Sequence, residues 1–129
     1  MKRILIADND PSIMLGMRFI LEDENYRIIK ADNGNDAIKI ILKKRPDLVV
    51  LDIMMPPGGE DEGLRVLKEI RNFEDSAIQS IPVIMLTAKA FDRDRKISEE
   101  LGVCKYMRKP FDSVEFLSII KKCIEKTND

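Results

Sequence analysis

Five short, largely apolar runs recur along the chain, and each is followed by a longer stretch whose apolar residues recur at helical spacing. The runs cover residues 3–7, 27–31, 47–51 and 82–86, with a fifth around Tyr106. A short apolar run bounded by polar residues is typical of a strand, whereas apolar residues three and four positions apart indicate one face of a helix. This alternation predicts five β-α units, and it constrains the fold more than any other feature.

The predicted helices follow the runs directly. The first extends from Ser12 to about Glu22, with Asp10 as its cap and Pro11 in its first turn. The second follows Asn33-Gly34, and the last begins at Ser113. We expect their inward faces to carry Ile13, Met14, Met17, Ile20 and Leu21; Ala37, Ile38, Ile41 and Leu42; Leu64, Leu67 and Ile70; Phe91, Ile97 and Leu101; and Phe116, Leu117, Ile120, Cys123 and Ile124.

The first, third and fourth runs are almost purely aliphatic, which a strand covered by helices on both faces requires. Such strands form a parallel sheet, and right-handed crossovers leave few topologies. We therefore predict an α/β fold with an open, doubly wound parallel sheet, because a closed barrel would need eight units. A chain of 129 residues fits one domain, which we place at residues 1–126, with 127–129 as a frayed tail.

Composition narrows the function classes. Lys and Arg number 22 and Asp and Glu 23, so a net charge of -1 does not favour nucleic acid or an acidic membrane as partner. No apolar run is long enough to span a bilayer or to act as a secretory signal, and we expect a cytoplasmic protein. Because the chain has no histidine, we interpret Cys104 and Cys123 as reduced packing residues rather than zinc ligands.

Polar residues follow the carboxyl ends of four predicted strands, where open parallel sheets bind their ligands. Two carboxylates with few apolar neighbours suit Mg²⁺, and a lysine and a hydroxyl opposite can hold phosphoryl oxygens. Each residue alone is equally compatible with an exposed loop, but their coincidence favours phosphoryl transfer to a carboxylate. The residues are Asp8, Asn9 and Asp10; Asp52; Thr87 and Ala88; and Lys109 and Pro110.

Four segments resemble the receiver domains of two-component response regulators: ILIADNDP, DLVVLDIMMP, IPVIMLTA and YMRKPF. The resemblance implies a flavodoxin-like receiver fold, similar to that of chemotaxis regulators, with strand order 2-1-3-4-5 and five helices. It also implies a cis bond before Pro110. The roles that it implies are Asp52 as phosphoacceptor, Lys109 as phosphate-contacting lysine, Thr87 and Tyr106 as switch residues, and Asp8, Asp52 and the Met54 backbone carbonyl as Mg²⁺ ligands.

By the same resemblance the chain is a switch in a phosphorelay. A histidine kinase or a histidine phosphotransfer protein would donate the phosphoryl group to Asp52. The protein would catalyse only its own phosphorylation and dephosphorylation, with no direct contact to nucleic acid or membrane. A downstream protein would read the face formed by the fourth helix, the fifth strand and the fifth helix.

Asn9 departs from the family pattern, which usually has a second metal-binding acid at this position. An amide oxygen can still coordinate Mg²⁺ but carries no charge, so metal affinity and phosphorylation should weaken. A pseudo-receiver that binds proteins without phosphate therefore stays open. A hydrolase using Asp52 as nucleophile is a weaker alternative, because Met54 occupies the position where a second aspartate is expected.

The segment PPGGEDEG, residues 56–63, is about three residues longer than the family pattern. Its two central glycines predict a mobile loop. Its three acids, Glu60, Asp61 and Glu62, would place negative charge near the site entrance. We slightly favour a tolerated surface insertion over a docking role. Cys104 and Lys105 stand where many DNA-binding regulators carry a dimer-forming acidic pair, which makes that dimer doubtful.

Overall fold

The computed structural model describes residues 1–88 and 90–127. Its strands form one parallel sheet in the order β2-β1-β3-β4-β5. This confirms the doubly wound α/β fold and the order 2-1-3-4-5. The strands are β1 (Arg3–Ala7), β2 (Arg27–Ala31), β3 (Leu48–Asp52), β4 (Val83–Thr87) and β5 (Lys105–Arg108).

The described residues form six helices, one more than predicted. The additional helix is a single turn capped by Asp75, whose carboxylate accepts a hydrogen bond from the Ala77 N–H. None of the described helices is both long enough and apolar enough to cross a membrane. The helices are α1 (Pro11–Glu22), α2 (Gly34–Lys44), α3 (Glu62–Arg71), α4 (Ser76–Gln79), α5 (Asp92–Glu100) and α6 (Ser113–Thr127). Of the expected frayed tail, residues 128 and 129 lie outside the described residues.

The two strands β3 and β4 are buried along their whole length, whereas the edge strands β2 and β5 each expose residues. This explains why the inner runs are aliphatic and the edge runs are mixed. Strands β3 and β4 both end one residue later than predicted. Asp52 and Thr87 are therefore the last residues of β3 and β4, held by the ladder itself rather than by a loop.

Helices cover both faces of the sheet, and each face has its own apolar core. Helices α1 and α6 pack on one face through Met17, Leu21, Phe116 and Ile120. On the other face lie α2, α3 and α5. Two predicted core residues are instead exposed: Leu42 is 44% accessible and Phe91 is 58% accessible. Leu42 follows the buried Ile41 directly, and one step along a helix turns a side chain by about 100°, which takes it off the buried face.

Cys104 and Cys123 form a disulfide, so the prediction that both are reduced is wrong. Cys123 does pack in the core as predicted, with 2% of its surface exposed. The pairing arises because α6 returns along β5 and brings the two Cα atoms to 6.0 Å, within the range a disulfide spans. The two cysteines are 19 residues apart in the sequence, and nothing in that spacing indicates that they lie close together in the fold.

Candidate functional site

Three charged side chains meet at the carboxyl end of the sheet. The Lys109 Nζ lies 2.7 Å from Asp8 Oδ2 and 3.2 Å from Asp52 Oδ2. All three side chains are almost fully buried, with exposures of 10% for Lys109, 1% for Asp8 and 9% for Asp52. The structure thus brings together residues that are far apart in sequence, in the arrangement that the strand ends predicted.

Backbone contacts hold these side chains in place. Asp8 follows β1, and its Oδ1 accepts a hydrogen bond of 2.9 Å from the Asp10 N–H. The Lys109 N–H donates to the Thr87 carbonyl at 2.8 Å, which links the end of β5 to the end of β4. The Lys109–Pro110 bond is cis, as the resemblance implied. Thr87 is the last residue of β4 and is 1% exposed, so it lies at the same edge of the sheet as Asp8, Asp52 and Lys109.

Burial dominates the electrostatics of Asp52. It raises the pKa of the Asp52 carboxyl above its ordinary 3.8, and the negative charge of Asp8 raises it further. The ammonium of Lys109 and the Met54 N–H, which donates to Asp52 Oδ1 at 3.3 Å, act in the opposite direction. Asp52 is therefore a carboxylate whose negative charge is only partly compensated by the protein.

Gly63 determines how closely α3 approaches the end of β3. A Cβ at this position would lie 2.3 Å from the Asp52 carbonyl oxygen and 2.6 Å from the Ile53 Cα. The Gly63 N–H donates to the Ile53 carbonyl at 2.8 Å. The absence of a side chain therefore allows the first turn of α3 to rest directly on the backbone that carries Asp52.

The donor set at this edge consists of hard oxygen atoms. Asp8 and Asp52 supply buried carboxylates, the Met54 carbonyl lies two residues after Asp52, and the exposed Asn9 can offer an amide oxygen. Asp10 is committed elsewhere, because its carboxylate caps α1 by accepting from the Ser12 and Ile13 N–H groups. No three acids, cysteines or histidines of residues 1–88 and 90–127 cluster as a metal site. The set fits an ion such as Mg²⁺, which keeps several waters.

The sequence profile of the response regulator receiver domain matches residues 4–121. This chain belongs to that family. A response regulator receiver domain protein (CheY-like) from Methanospirillum hungatei superposes with a TM-score of 0.89 at 26% identity, covering 99% of this chain and 97% of that one. The non-phosphorylated HemR receiver domain from Leptospira biflexa superposes with a TM-score of 0.84 at 30% identity, covering 96% of this chain and 94% of that one. The receiver domain of a signal transduction histidine kinase from Syntrophus aciditrophicus superposes with a TM-score of 0.85 at 28% identity, covering 98% of this chain and 92% of that one.

The long loop of this receiver makes backbone hydrogen bonds within itself and to a neighbouring helix. Met55 and Gly59 exchange two backbone hydrogen bonds of 3.1 and 2.7 Å, which close the loop on itself. Gly59 adopts a left-handed φ of 68°, the conformation that glycine permits. The Gly34 N–H, at the start of α2, donates to the Pro56 carbonyl at 3.2 Å. The loop is thus tied to the neighbouring helix.

Glu62 does not contribute negative charge to the entrance, contrary to the expectation from sequence. It is 2% exposed, and its carboxylate lies against Gly34 and Gly58, where a Cβ would come within 2.3 and 2.5 Å of its oxygens. Arg65 pairs with it through Nε at 2.6 Å and Nη2 at 2.9 Å. Glu62 is therefore a structural anchor, and the Glu-x-x-Arg spacing was the sequence signal for it.

A cleft of about 370 Å³ opens beside Thr87, between the long loop and the start of α5. Ile53, Met54 and Phe91 form its apolar wall. Asp61 from the loop and Arg93 from α5 approach to 3.5 Å across it, and both side chains are largely exposed. The two remaining acids of the loop, Glu60 and Asp61, thus line the edge of this cleft.

Tyr106 points inward in this receiver. Its ring packs against the core under α2, α3 and α5, and its hydroxyl is buried with no hydrogen-bond partner among the described residues. Burial raises the pKa of Tyr106, and the nearby Asp94 adds to the effect. Two polar residues of α5, Asp94 and Ser98, are buried as well.

Proposed function

We propose that this receiver accepts a phosphoryl group on Asp52 from a histidine kinase or a histidine phosphotransfer protein. The reaction is Mg²⁺-dependent, and the domain also catalyses removal of the group. The observation that carries this proposal is the convergence of Asp8, Asp52 and Lys109 within 3.2 Å at the carboxyl end of the sheet. The proposed receiver unit spans residues 1–126 and acts in the cytoplasm.

In the forward step, an Asp52 carboxylate oxygen forms a bond to phosphorus while the bond from phosphorus to the donor's imidazole nitrogen breaks. The Lys109 ammonium, already 3.2 Å from Asp52 Oδ2, donates to a phosphoryl oxygen and neutralises charge. In the dephosphorylation step, a water oxygen forms a bond to phosphorus while the bond from phosphorus to the Asp52 oxygen breaks. Inorganic phosphate is released, and Asp52 is restored as a carboxylate. Both steps depend on positioning and charge, which buried, fixed side chains supply.

Asp8, Asp52 and the Met54 carbonyl would hold the metal ion, with Asn9 as a neutral fourth ligand. When bound, Mg²⁺ would supply positive charge to the transferring phosphoryl oxygens. The protein side of this arrangement is preorganised, because the Asp10 N–H fixes one Asp8 oxygen and the Met54 N–H orients Asp52.

Thr87 and Tyr106 would convert phosphorylation into a signal. Phosphorylation adds charge and acceptor oxygens at Asp52, and the Thr87 hydroxyl is the group that would donate to them. The inward Tyr106 ring occupies the space between β5 and α5, so a shift of the loop after β4 would be felt there. The face of α5, β5 and α6 is the proposed surface for a downstream protein.

Asn9 supports a second candidate function, that of a phosphate-independent binding module. Asn9 is exposed and adds no negative charge to the two carboxylates of the site. The negative charge available to a metal ion then comes from Asp8 and Asp52, and both already interact with Lys109. In this case Asp52→Asn would bind the downstream protein as well as the wild type does.

Intact-mass spectrometry after incubation with acetyl phosphate and MgCl₂ tests the proposal. The wild type is expected to gain the mass of one phosphoryl group, and the gain should disappear with EDTA and in Asp52→Asn. Asp10→Asn is the matched control, because that acid caps α1 rather than entering the site, and it should still be labelled. No gain in the wild type at high magnesium would overturn the phosphoacceptor function and favour the binding module.

A further inference from the structure

A covalent cross-link encloses the part of the chain that carries Tyr106 and Lys109. The disulfide joins Cys104, the residue before β5, to Cys123 in the second half of α6, so the 19-residue separation closes a ring around both. Lys109 is the cation between Asp8 and Asp52. The ring thus connects the output side of the domain with its phosphoacceptor site.

The two ends of α6 are held by different means. Near its start, the rings of Phe111 and Phe116 stack with centroids 4.7 Å apart, and Phe116 and Ile120 are fully buried. Farther along α6, the covalent link at Cys123 fixes the helix to the beginning of β5. Breaking the link would leave α6 attached through apolar packing and an exposed ion pair of 3.4 Å between Lys121 and Glu24, contacts that permit small shifts between α6 and β5.

The disulfide is open to attack from one side. Cys123 is 2% exposed, whereas Cys104 is only partly buried at the edge of the sheet. The chain has no third cysteine, so no internal thiol can take part. Exchange therefore requires an external thiol reductant, such as a dithiol, which would reach the sulfur of Cys104 first.

We propose that Cys104 and Cys123 form a reversible thiol–disulfide pair whose oxidation state sets how firmly α6 holds β5 and Lys109. The oxidised form keeps the segment between them rigid, and the reduced form loosens it. The inference concerns packing and rests on the proposed function only where phosphoryl uptake is used as a readout.

The chemistry balances with a dithiol as co-reactant. A thiolate of the dithiol attacks the Cys104 sulfur, the bond between Cys104 and Cys123 breaks, and Cys123 leaves as a thiolate that takes up a proton. The second thiol of the reductant then attacks the mixed disulfide and releases Cys104. Two electrons and two protons pass to the protein, and the reductant leaves as a disulfide.

Hydrogen exchange measured by mass spectrometry tests the inference on three samples: oxidised wild type, wild type reduced with dithiothreitol, and Cys104→Ser. In the reduced protein and in the variant, amides of β5 and α6 should exchange on the order of tenfold faster. The melting temperature should fall by roughly 10 °C. Cys104→Ser should not respond to dithiothreitol. Cys123→Ala provides a second variant without the link, should the first fold poorly.

Thiol alkylation in glutathione buffers of increasing oxidation gives the companion measurement. The alkylated fraction should fall reversibly as the buffer becomes more oxidising. The inference is overturned if both cysteines remain alkylated in the most oxidising buffer, or if the oxidised and reduced forms exchange at equal rates. Slower phosphoryl uptake in the reduced form would support it further. Absence of uptake in both forms, with altered exchange, would contradict the phosphoacceptor function but not the redox pair.

Discussion

Asp52 is a buried charged group and Arg71 a partly buried one, and the protein satisfies their hydrogen-bonding capacity to very different degrees. The Arg71 guanidinium donates to the carbonyls of Leu101, Gln79, Ile81 and Gly102 at 2.7 to 3.1 Å. The Asp52 carboxylate contacts the Lys109 Nζ at 3.2 Å and the Met54 N–H at 3.3 Å, and the like charge of Asp8 lies nearby.

The difference separates a structural charge from a reactive one. Burial lowers the pKa of Arg71, yet its donors are directed at fixed carbonyls that join the end of α3 to the end of α5 and to the segment after α4. Such a group has little capacity to bind anything else. Asp52 keeps lone pairs that long contacts do not saturate, which suits the phosphoryl-accepting and metal-binding roles proposed for it.

Removing the cation should have the largest effect on the reactive side of this comparison. Lys109→Met takes away the ammonium that contacts both Asp8 and Asp52. The initial rate of phosphoryl uptake from acetyl phosphate should fall about 100-fold to 1000-fold, the loss seen when a charge-stabilising donor is removed. Lys105→Met, at an exposed position of β5, is the control and should keep the wild-type rate. A loss of less than about tenfold would show that Lys109 does not act on the phosphoryl group.

The backbone that carries Asp52 should be nearly as sensitive. In Gly63→Ala the new Cβ meets the Asp52 carbonyl oxygen at 2.3 Å, so β3 and α3 must separate. We expect a loss of about 3 kcal/mol in the free energy of unfolding, measured with urea. Gly16→Ala is the matched control, because nothing lies within 4 Å of its Cβ and alanine favours α1 by about 0.5 to 1 kcal/mol. Equal stability of the two variants would contradict the close approach.

Arg71→Met tests the structural side. The carbonyls at the end of α5 and after α4 lose their donor, which should cost about 2 to 3 kcal/mol in the free energy of unfolding. Arg18→Met removes an exposed ion pair with Glu22 and should change stability by less than about 0.5 kcal/mol. Below its melting range, Arg71→Met should take up phosphoryl groups at the wild-type rate. A selective loss of uptake would show that Arg71 acts on the site.

Sequence pattern was sufficient for the sheet and for the residues at its edge. The aliphatic runs of β3 and β4 identify strands covered on both sides, and Asp52 and Thr87 stand where those runs stop. Parallel strands end at the same edge, so their final residues must meet there whatever the loops do. This is why the sequence alone predicts that Asp8, Asp52 and Lys109 meet.

Features that depend on contacts between distant parts of the chain were not predicted. Glu62 is buried because Gly34 at the start of α2 and Gly58 in the long loop lack side chains. The Glu-x-x-Arg spacing indicates its pairing with Arg65 but not its burial. The disulfide depends on the path of α6 back along β5. Helix α4 is too short to show a helical period.

The raised pKa of Asp52 allows a pH-dependent test of whether the protein compensates its negative charge only in part. Because the folded state holds this proton more tightly than the unfolded state does, the contribution of Asp52 to stability is most favourable below pH 3.8 and is lost as pH rises through the folded-state pKa. Asp52→Asn should therefore be more stable than the wild type at neutral pH, by on the order of 1 kcal/mol. Urea unfolding across pH should show the gain disappearing in acid, and the exposed Asp32→Asn should show no comparable gain.

The smallest effect is expected from the acids at the edge of the cleft. Glu60 and Asp61 are exposed, so solvent and salt screen their charges from the carboxylates of Asp8 and Asp52. Replacing both by Gln and Asn should change the Mg²⁺ concentration for half-maximal uptake by less than about threefold, and by less still at high salt. Glu62→Gln should behave differently. Loss of its buried pairing with Arg65 should lower the free energy of unfolding, without a salt-sensitive change in the Mg²⁺ dependence of uptake. A large, salt-sensitive change in that Mg²⁺ concentration would mean that the loop itself takes part in metal binding. The charges able to bind a ligand would then include loop residues as well as those at the edge of the sheet.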